Sequence, residues 1–157
     1  MAPPNGNRQP LAGPLPNLGA PQAQYVEDWF IYGINALAIA PGANVNANIQ
    51  IQADSDFKLI KLSLMADIAL ASTTASTLVI PNATIQIVDT GSGRQLFFQP
   101  VPLGALFGTG SLPHILPVPR IFKARSNIAL QFANYDAAVT YNIRMAFEGS
   151  KIFSLGS

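Results

Sequence analysis

The chain has 157 residues and a mass of 16.7 kDa, enough for one domain and tight for two. Only 11% of its residues are charged, 49% are hydrophobic and the mean hydropathy is positive, which excludes a disordered, highly charged tail protein. A net charge of +1 offers no field for holding nucleic acid, the lack of cysteine removes thiol, disulfide and iron–sulfur chemistry, and a lone histidine, His114, removes any multi-histidine metal site.

Residues 1–24 hold six of the 13 prolines, three glycines and one charge, Arg8. Proline fixes φ and pushes its predecessor toward extended geometry, so this segment is expected to be a polyproline-like arm, roughly 70 Å long if fully extended. The remaining residues, folded, would have a radius of gyration of about 14 Å. The arm is therefore long enough to cross a neighbouring subunit, with Leu11, Leu15 and Leu18 as anchors, and is expected to be docked. Residues 1–10 lack the basic start and apolar run of a signal peptide, so secretion by that route is not expected. The longest apolar stretch, residues 59–71, is broken by Lys61 and Asp67 and is not a membrane span.

From Tyr25 onward the pattern has period two, which predicts strands and no helix. A first strand is expected around residues 30–39. Val45, Ala47, Ile49 and Ile51 then alternate with Asn44, Asn46, Asn48, Gln50 and Gln52, giving one apolar and one amide face. Ile60, Leu62, Leu64, Ala66, Ile68 and Leu70 form a long strand, and a short one is expected at residues 78–80. Ile85 and Ile87 lead into the turn Asp89-Thr90-Gly91-Ser92-Gly93, with Leu96 and Phe98 resuming beyond it as a hairpin. Residues 120–124 predict a further short strand. Ile128, Leu130 and Phe132, the turn Asn134-Tyr135-Asp136, and then Val139 to Phe147 predict a second hairpin.

The fold expected is all-β: an antiparallel, jelly-roll-like β-sandwich of about eight strands over residues 25–157, preceded by the extended proline-rich arm of residues 1–24. Residues 100–119 stand out as a long Pro/Gly-rich connection carrying Leu103, Leu106, Phe107, Leu112 and Ile115. That much apolar area is unusual in a surface loop, and it is expected either to cover an open end of the sandwich or to contact another subunit; a mobile lid is the lesser alternative. With 11 Asn and 9 Gln against 17 charged residues, solubility rests on amides, which suits a subunit packed among others.

Catalytic motifs are few. Ile87-Val88-Asp89-Thr90-Gly91-Ser92 resembles the active-site loop of aspartic proteases, whose mechanism needs two carboxylates sharing a proton. Here Leu106-Phe107-Gly108 follows too soon to leave room for a flap, so a tight turn is the reading preferred. Asp54-Ser55-Asp56 offers too few oxygens for calcium and reads as an Asx turn. His114 sits between Pro113 and Ile115, far from any nucleophile-elbow pattern. Arg120, Lys123, Arg125, Arg144 and Lys151 read as solvent faces of strands. Trp29, with Tyr25 and Tyr32, marks the junction of arm and domain and is read as an anchor in preference to a sugar-stacking cluster. No catalytic residue, cofactor or metal is expected.

The arm, the amide-faced β domain and the runs Pro119-Arg120-Ile121-Phe122-Lys123-Ala124-Arg125-Ser126, Phe132-Ala133-Asn134 and Phe147-Glu148-Gly149-Ser150-Lys151 together resemble the small jelly-roll virion proteins of tailed bacteriophages, in particular capsid cement or decoration proteins. The resemblance is one of pattern over residues 25–153. It implies a non-enzymatic homo-oligomer, dimer or trimer, present in the host cytoplasm during assembly and then on the outer capsid surface of the virion. There it would bridge the major capsid protein or other virion subunits, without direct contact to nucleic acid or membrane. The arm, through Pro4, Pro10, Leu11, Leu15, Leu18 and Trp29, and the loop, through Leu103, Leu106, Phe107, Leu112 and Ile115, would be its contact regions. A tail, baseplate or head-fibre module with glycan-binding ability is the first alternative, and a retropepsin-like aspartic protease using Asp89 the second.

Overall fold

The structure, a computed structural model, describes residues 25–69 and 79–154. The arm, including Pro4, Pro10, Leu11, Leu15 and Leu18, lies outside the described residues, as do Leu70 and Leu78 from two of the predicted strands. Alternating side chains over the described residues build nine strands and one helical turn. In chain order these are β1 (Tyr25–Ile39), β2 (Asn44–Gln50), β3 (Asp56–Ile68), β4 (Ala83–Asp89), β5 (Arg94–Gln95), β6 (Val101–Pro102), α1 (Leu103–Leu106), β7 (His114–Phe122), β8 (Asn127–Asn134) and β9 (Tyr141–Ser154).

Two antiparallel sheets face each other. Sheet I has the order β1-β9-β3-β7; sheet II has the order β2-β8-β4-β5, with β6 also paired to β4. Successive long strands alternate between the sheets, which is the jelly-roll arrangement expected. β5 and β6, two residues each, share the place of one strand beside β4, so eight strand positions are filled by nine segments. Phe57, Leu59, Leu62, Ile143 and Phe147 from sheet I meet Ile85, Ile87, Ile128, Leu130 and Phe132 from sheet II in one buried core.

Several local expectations are corrected. β1 begins at Tyr25, five residues before the predicted start. Val79 and Ile80 lie outside any strand, and just beyond the Asp89 turn the returning strand is only Arg94–Gln95 with one further N–H bond from Leu96 to the carbonyl of Ile87, leaving Phe98 90% exposed. Residues 100–119 are not one connection but contain β6, the turn α1 and the start of β7, which opens at His114 and not at Arg120. Proline is tolerated in β7 because this edge strand pairs with β3 alone. The ladder steps from Leu59↔Arg120 to Lys61↔Ile115, so residues 116–119, with Pro117 and Pro119, bulge out of it. The second hairpin is also overturned: β8 lies in sheet II and β9 in sheet I, and the residues between them cross the sandwich. Asn134, buried at that crossing, donates from Nδ2 to the carbonyls of Ile39 at 3.0 Å, Ala40 at 3.1 Å and Val139 at 2.9 Å, which ties the crossing to the end of β1.

One irregularity sets the register of sheet I. Both neighbours of β3 skip Ile60: Leu59 pairs with Gly149 and Lys61 with Glu148. The bulge turns both Leu59 and Leu62 into the core, where each is fully buried. It also brings the backbone of β3 against Gly149, where an added Cβ would lie 1.9 Å from the carbonyl oxygen of Lys58. Gly149→Val is therefore expected to lower unfolding free energy by about 3 kcal/mol, the upper end of overpacking penalties, measured by chemical denaturation. An unchanged midpoint would contradict this account of the bulge.

Candidate interaction surfaces

The residues proposed from sequence separate into core and surface. Leu103 is fully buried and Phe107 is 6% exposed, because the single turn of α1 directs Leu103 inward and Phe107 meets Phe147 edge-on at 6.2 Å. Leu106 packs half-buried against the same core. These three complete the end of the sandwich, which is the covering role among the alternatives for the loop. What remains as loop surface is Leu112, 79% exposed, and Ile115, 62% exposed, joined by Val118 in the β7 bulge.

Strand register places Ile115 and Trp29 on one surface, the outer face of sheet I. One row across it reads Trp29, Ser150, Lys58, Ile121, and the next Ile31, Glu148, Lys61, Ile115. A third row of small side chains, Gly33, Ala146 and Ser63, makes a shallow trough of about 440 Å³ bounded by Met65 and Arg144. Large apolar side chains thus stand at both margins, Trp29 and Ile31 on β1, Ile115 and Ile121 on β7, with Trp29 73% exposed. Ile31 went unmentioned in the sequence, and Met65 and Ile121 were not marked as contact residues; their period-two positions opposite buried residues were the available signal.

The centre of this face is charged, and several of its charges are paired internally. Lys58 Nζ lies 3.0 Å from Glu27 Oε1, and Ser150 Oγ donates to Glu27 Oε2 at 2.8 Å. The Ser150 hydrogen bond, followed by Lys58, holds the Glu27 carboxyl below its ordinary value. Arg144 does the same for Asp67 across 3.0 Å. Burial pushes the Asp56 carboxyl up, but Lys123 and the N–H of Ala124 together outweigh it and hold it below its ordinary value.

Lys151 is not on a solvent face. It is 6% exposed and turns inward at the end of the core, over the Phe30 ring at 4.5 Å, bonded to Gln52 and to Asp54 Oδ2 at 3.0 Å. That bond lowers the Asp54 carboxyl. Tyr32 is likewise structural: its ring meets Phe30 and Phe57 edge-on at 4.9 and 4.8 Å, and its hydroxyl accepts the N–H of Gln52.

Asp89 closes its own turn. Oδ1 accepts the Gly91 N–H at 3.0 Å and Oδ2 accepts the Ser92 hydroxyl at 2.6 Å, while the Thr90 hydroxyl is tied to the carbonyl of Asn127. This is the geometry of a tight turn, with both carboxylate oxygens engaged. His114 begins β7, half-buried and opposite Leu62. Among the described residues no three acidic, histidine or cysteine side chains converge on a metal-sized site, and no helix is long and apolar enough to cross a membrane.

No family model and no curated protein matches the chain. Among solved structures it is similar to part of the dimeric latent PorU from Porphyromonas gingivalis, at 8% identity and a TM-score of 0.39, over 87% of this chain and 14% of that one. That likeness is too distant to carry a functional argument.

Glu27, Asp54, Asp56, Asp67 and Asp136 all have carboxyls held below their ordinary values of 4.5 for Glu and 3.8 for Asp. A depressed folded-state value adds stability above the unfolded one and loses it as pH falls through the folded one. The melting temperature is therefore expected to change little through these groups between about pH 5 and 7 and to fall below about pH 4. Asp136 accepts the N–H groups of Ala138 and Val139 and the Tyr141 hydroxyl, so Asp136→Asn should flatten that acid limb. A melting temperature held down to about pH 2 would refute the assignment.

Proposed function

We propose that the protein is a non-enzymatic virion structural protein, a capsid cement or decoration protein. In this reading it stabilises a shell by bridging the major capsid protein or other virion subunits, and it self-associates in doing so. The observation that supports it best is the combination, in sheet I, of an apolar-margined outer face with a long edge strand whose middle is regular and uncharged. Among the described residues β1 pairs with β9 alone. From Trp29 to Ile39 it carries no proline and no charge. Exposed edges are usually blunted by lysine, proline, bulges or short length. The opposite edge, β7, has its proline bulge; β1 is fifteen residues long, with Glu27 and Asp28 near its start and a register shift between Ala36 and Ile39, which leaves Trp29 to Asn35 as a regular, uncharged run along the edge.

Mechanically, a partner surface that exists only in the assembled shell binds the folded module, so that dismantling the shell must break those contacts as well. Several weak contacts on one rigid domain act together: the β1 edge, Trp29 and Ile31 beside it, Leu112 and Ile115 across the sheet, and the arm entering at Tyr25. No bond-breaking step is needed. Asp89, the residue an aspartic-protease reading requires, is occupied with its turn, which weighs against that alternative.

The test is reconstitution on particles lacking the protein. Adding it is expected to raise the temperature or osmotic shock at which the shell opens. Deleting residues 1–24 should leave the domain folded while weakening attachment, and Trp29→Lys with Ile31→Lys should reduce both attachment and self-association by at least about tenfold, a loss near 1.4 kcal/mol. A protein that stays monomeric and ignores the particle would end the proposal; loss of peptide-cleaving activity in Asp89→Asn would replace it with the protease.

A further inference from the structure

The outer face of sheet II differs in kind from that of sheet I. Its outward side chains are Asn44, Asn46, Asn48 and Gln50 on β2, Asn127, Ala129, Gln131 and Ala133 on β8, Thr84, Gln86 and Val88 on β4, and Gln95 on β5. None of these is charged. Register aligns Asn46, Gln131 and Gln86 in one row, with Asn44, Ala133 and Thr84 in the next.

Over these two rows lies a depression of about 400 Å³, within the size range of small-molecule sites. Thr84 and Gln86 line it from below, exposed Asn44, Asn46 and Gln131 from the sheet, and Tyr135 from the side. Two features distinguish it from an ordinary polar surface. Gln86 is 7% exposed, and its Nε2 is fixed on the carbonyl of Phe97 at 3.0 Å, which leaves Oε1 buried without a partner; Thr84 Oγ1 is likewise unpartnered. Unsatisfied buried oxygens are costly and rare, and both belong to residues that line the depression. Tyr135 is 63% exposed although its backbone is pinned, its N–H bonded to the carbonyl of Asn82 at 2.9 Å and the neighbouring Asn134 locked in the crossing. An exposed aromatic ring on an anchored backbone thus stands beside uncharged amides.

We propose that this depression binds a neutral saccharide. Amides offer paired donors and acceptors that match vicinal hydroxyls, and an aromatic ring gives the C–H face of a pyranose a platform. The absence of charge on the face selects against phosphates, uronates and nucleic acid. The site is remote from Trp29 and Tyr25, the aromatics that sequence alone offered for sugar stacking, and its lining is distinct from the β1 edge used in the cement reading.

The full chain is tested first on an array of neutral and anionic oligosaccharides. Any neutral hit is then titrated by calorimetry and by amide NMR, with sialyllactose as the charged control. At least one neutral oligosaccharide is expected to bind, shifting the signals of Asn46, Gln131 and Tyr135, with affinity unchanged between about 0.05 and 0.5 M salt. Tyr135→Ala and Gln131→Ala are each expected to weaken binding by about tenfold at an unchanged melting temperature, one aromatic or bidentate contact being worth that much. No neutral hit, a preference for sialyllactose, shifts confined to the outer face of sheet I, or binding indifferent to both substitutions would each overturn the proposal. So would self-association abolished by Tyr135→Ala, which would mark the depression as a contact between copies. Because the variants leave sheet I intact, failure here and failure of shell attachment are separately visible.

Discussion

Sheet I is held together by the placement of β9 between β1 and β3. This last strand pairs with the first across nearly the whole described chain, from Tyr25 opposite Ser154 to Ile39 opposite Tyr141, and with β3 from Asp56 to Ile68. No turn sets that register. It comes from the bulge at Ile60 against Gly149 and from the inward-facing residues Ile143, Met145 and Phe147, which a slip of one residue would turn out to solvent. Long-range pairing of this kind rewards the chain only after a large loop has closed, so folding is expected to be slow relative to a protein of local contacts. Asn134 and Asp136 shorten the final search by fixing the corner from which β9 departs.

The two outer faces show how one core serves two different surfaces. In sheet I, ion pairs such as Lys58 with Glu27 and Arg144 with Asp67 occupy the strand centres, and large apolar side chains stand at the margins. In sheet II the charges disappear and amides take their place. Exposed ion pairs add little stability and keep a face hydrated. Neutral amides make no long-range repulsion, so that face tolerates close approach by uncharged matter. The division follows directly from which strands carry Asn and Gln, and it accounts for the low overall charge of the chain.

Much of this was legible in the sequence wherever one side of a strand is core and the other is water. Val45, Ala47 and Ile49 against Asn44, Asn46 and Asn48 define β2 and its orientation, and Ile128, Leu130 and Phe132 do the same for β8. β7 was hidden because Pro117 and Pro119 read as loop, and only an edge position with a local bulge accommodates them. The separation of β8 from β9 was hidden because alternation reports which side of a strand is buried and is silent on which sheet the strand joins. Lys151 was misread because a charged residue at an alternating position defaults to solvent; its burial depends on Asp54, Gln52 and Phe30, distant in sequence. Leu103 and Phe107 were correctly marked as too apolar for an ordinary loop, but composition cannot separate a core plug from a contact patch.

The proline bulge in β7 has a consequence for growth of the sheet. A sheet competent at both margins adds copies without end, as a fibre does; one competent at a single margin is finished once that margin is used. In sheet I, among the described strands, β1 offers a regular run from Trp29 to Asn35 where β7 has its proline bulge. Two chains joined there about a two-fold axis must align residues whose side chains lie on the same side, so the axis passes opposite a single residue of β1 and never midway between two. The joined pair would then present a β7 rim at each end, and addition would stop at a closed, finite particle.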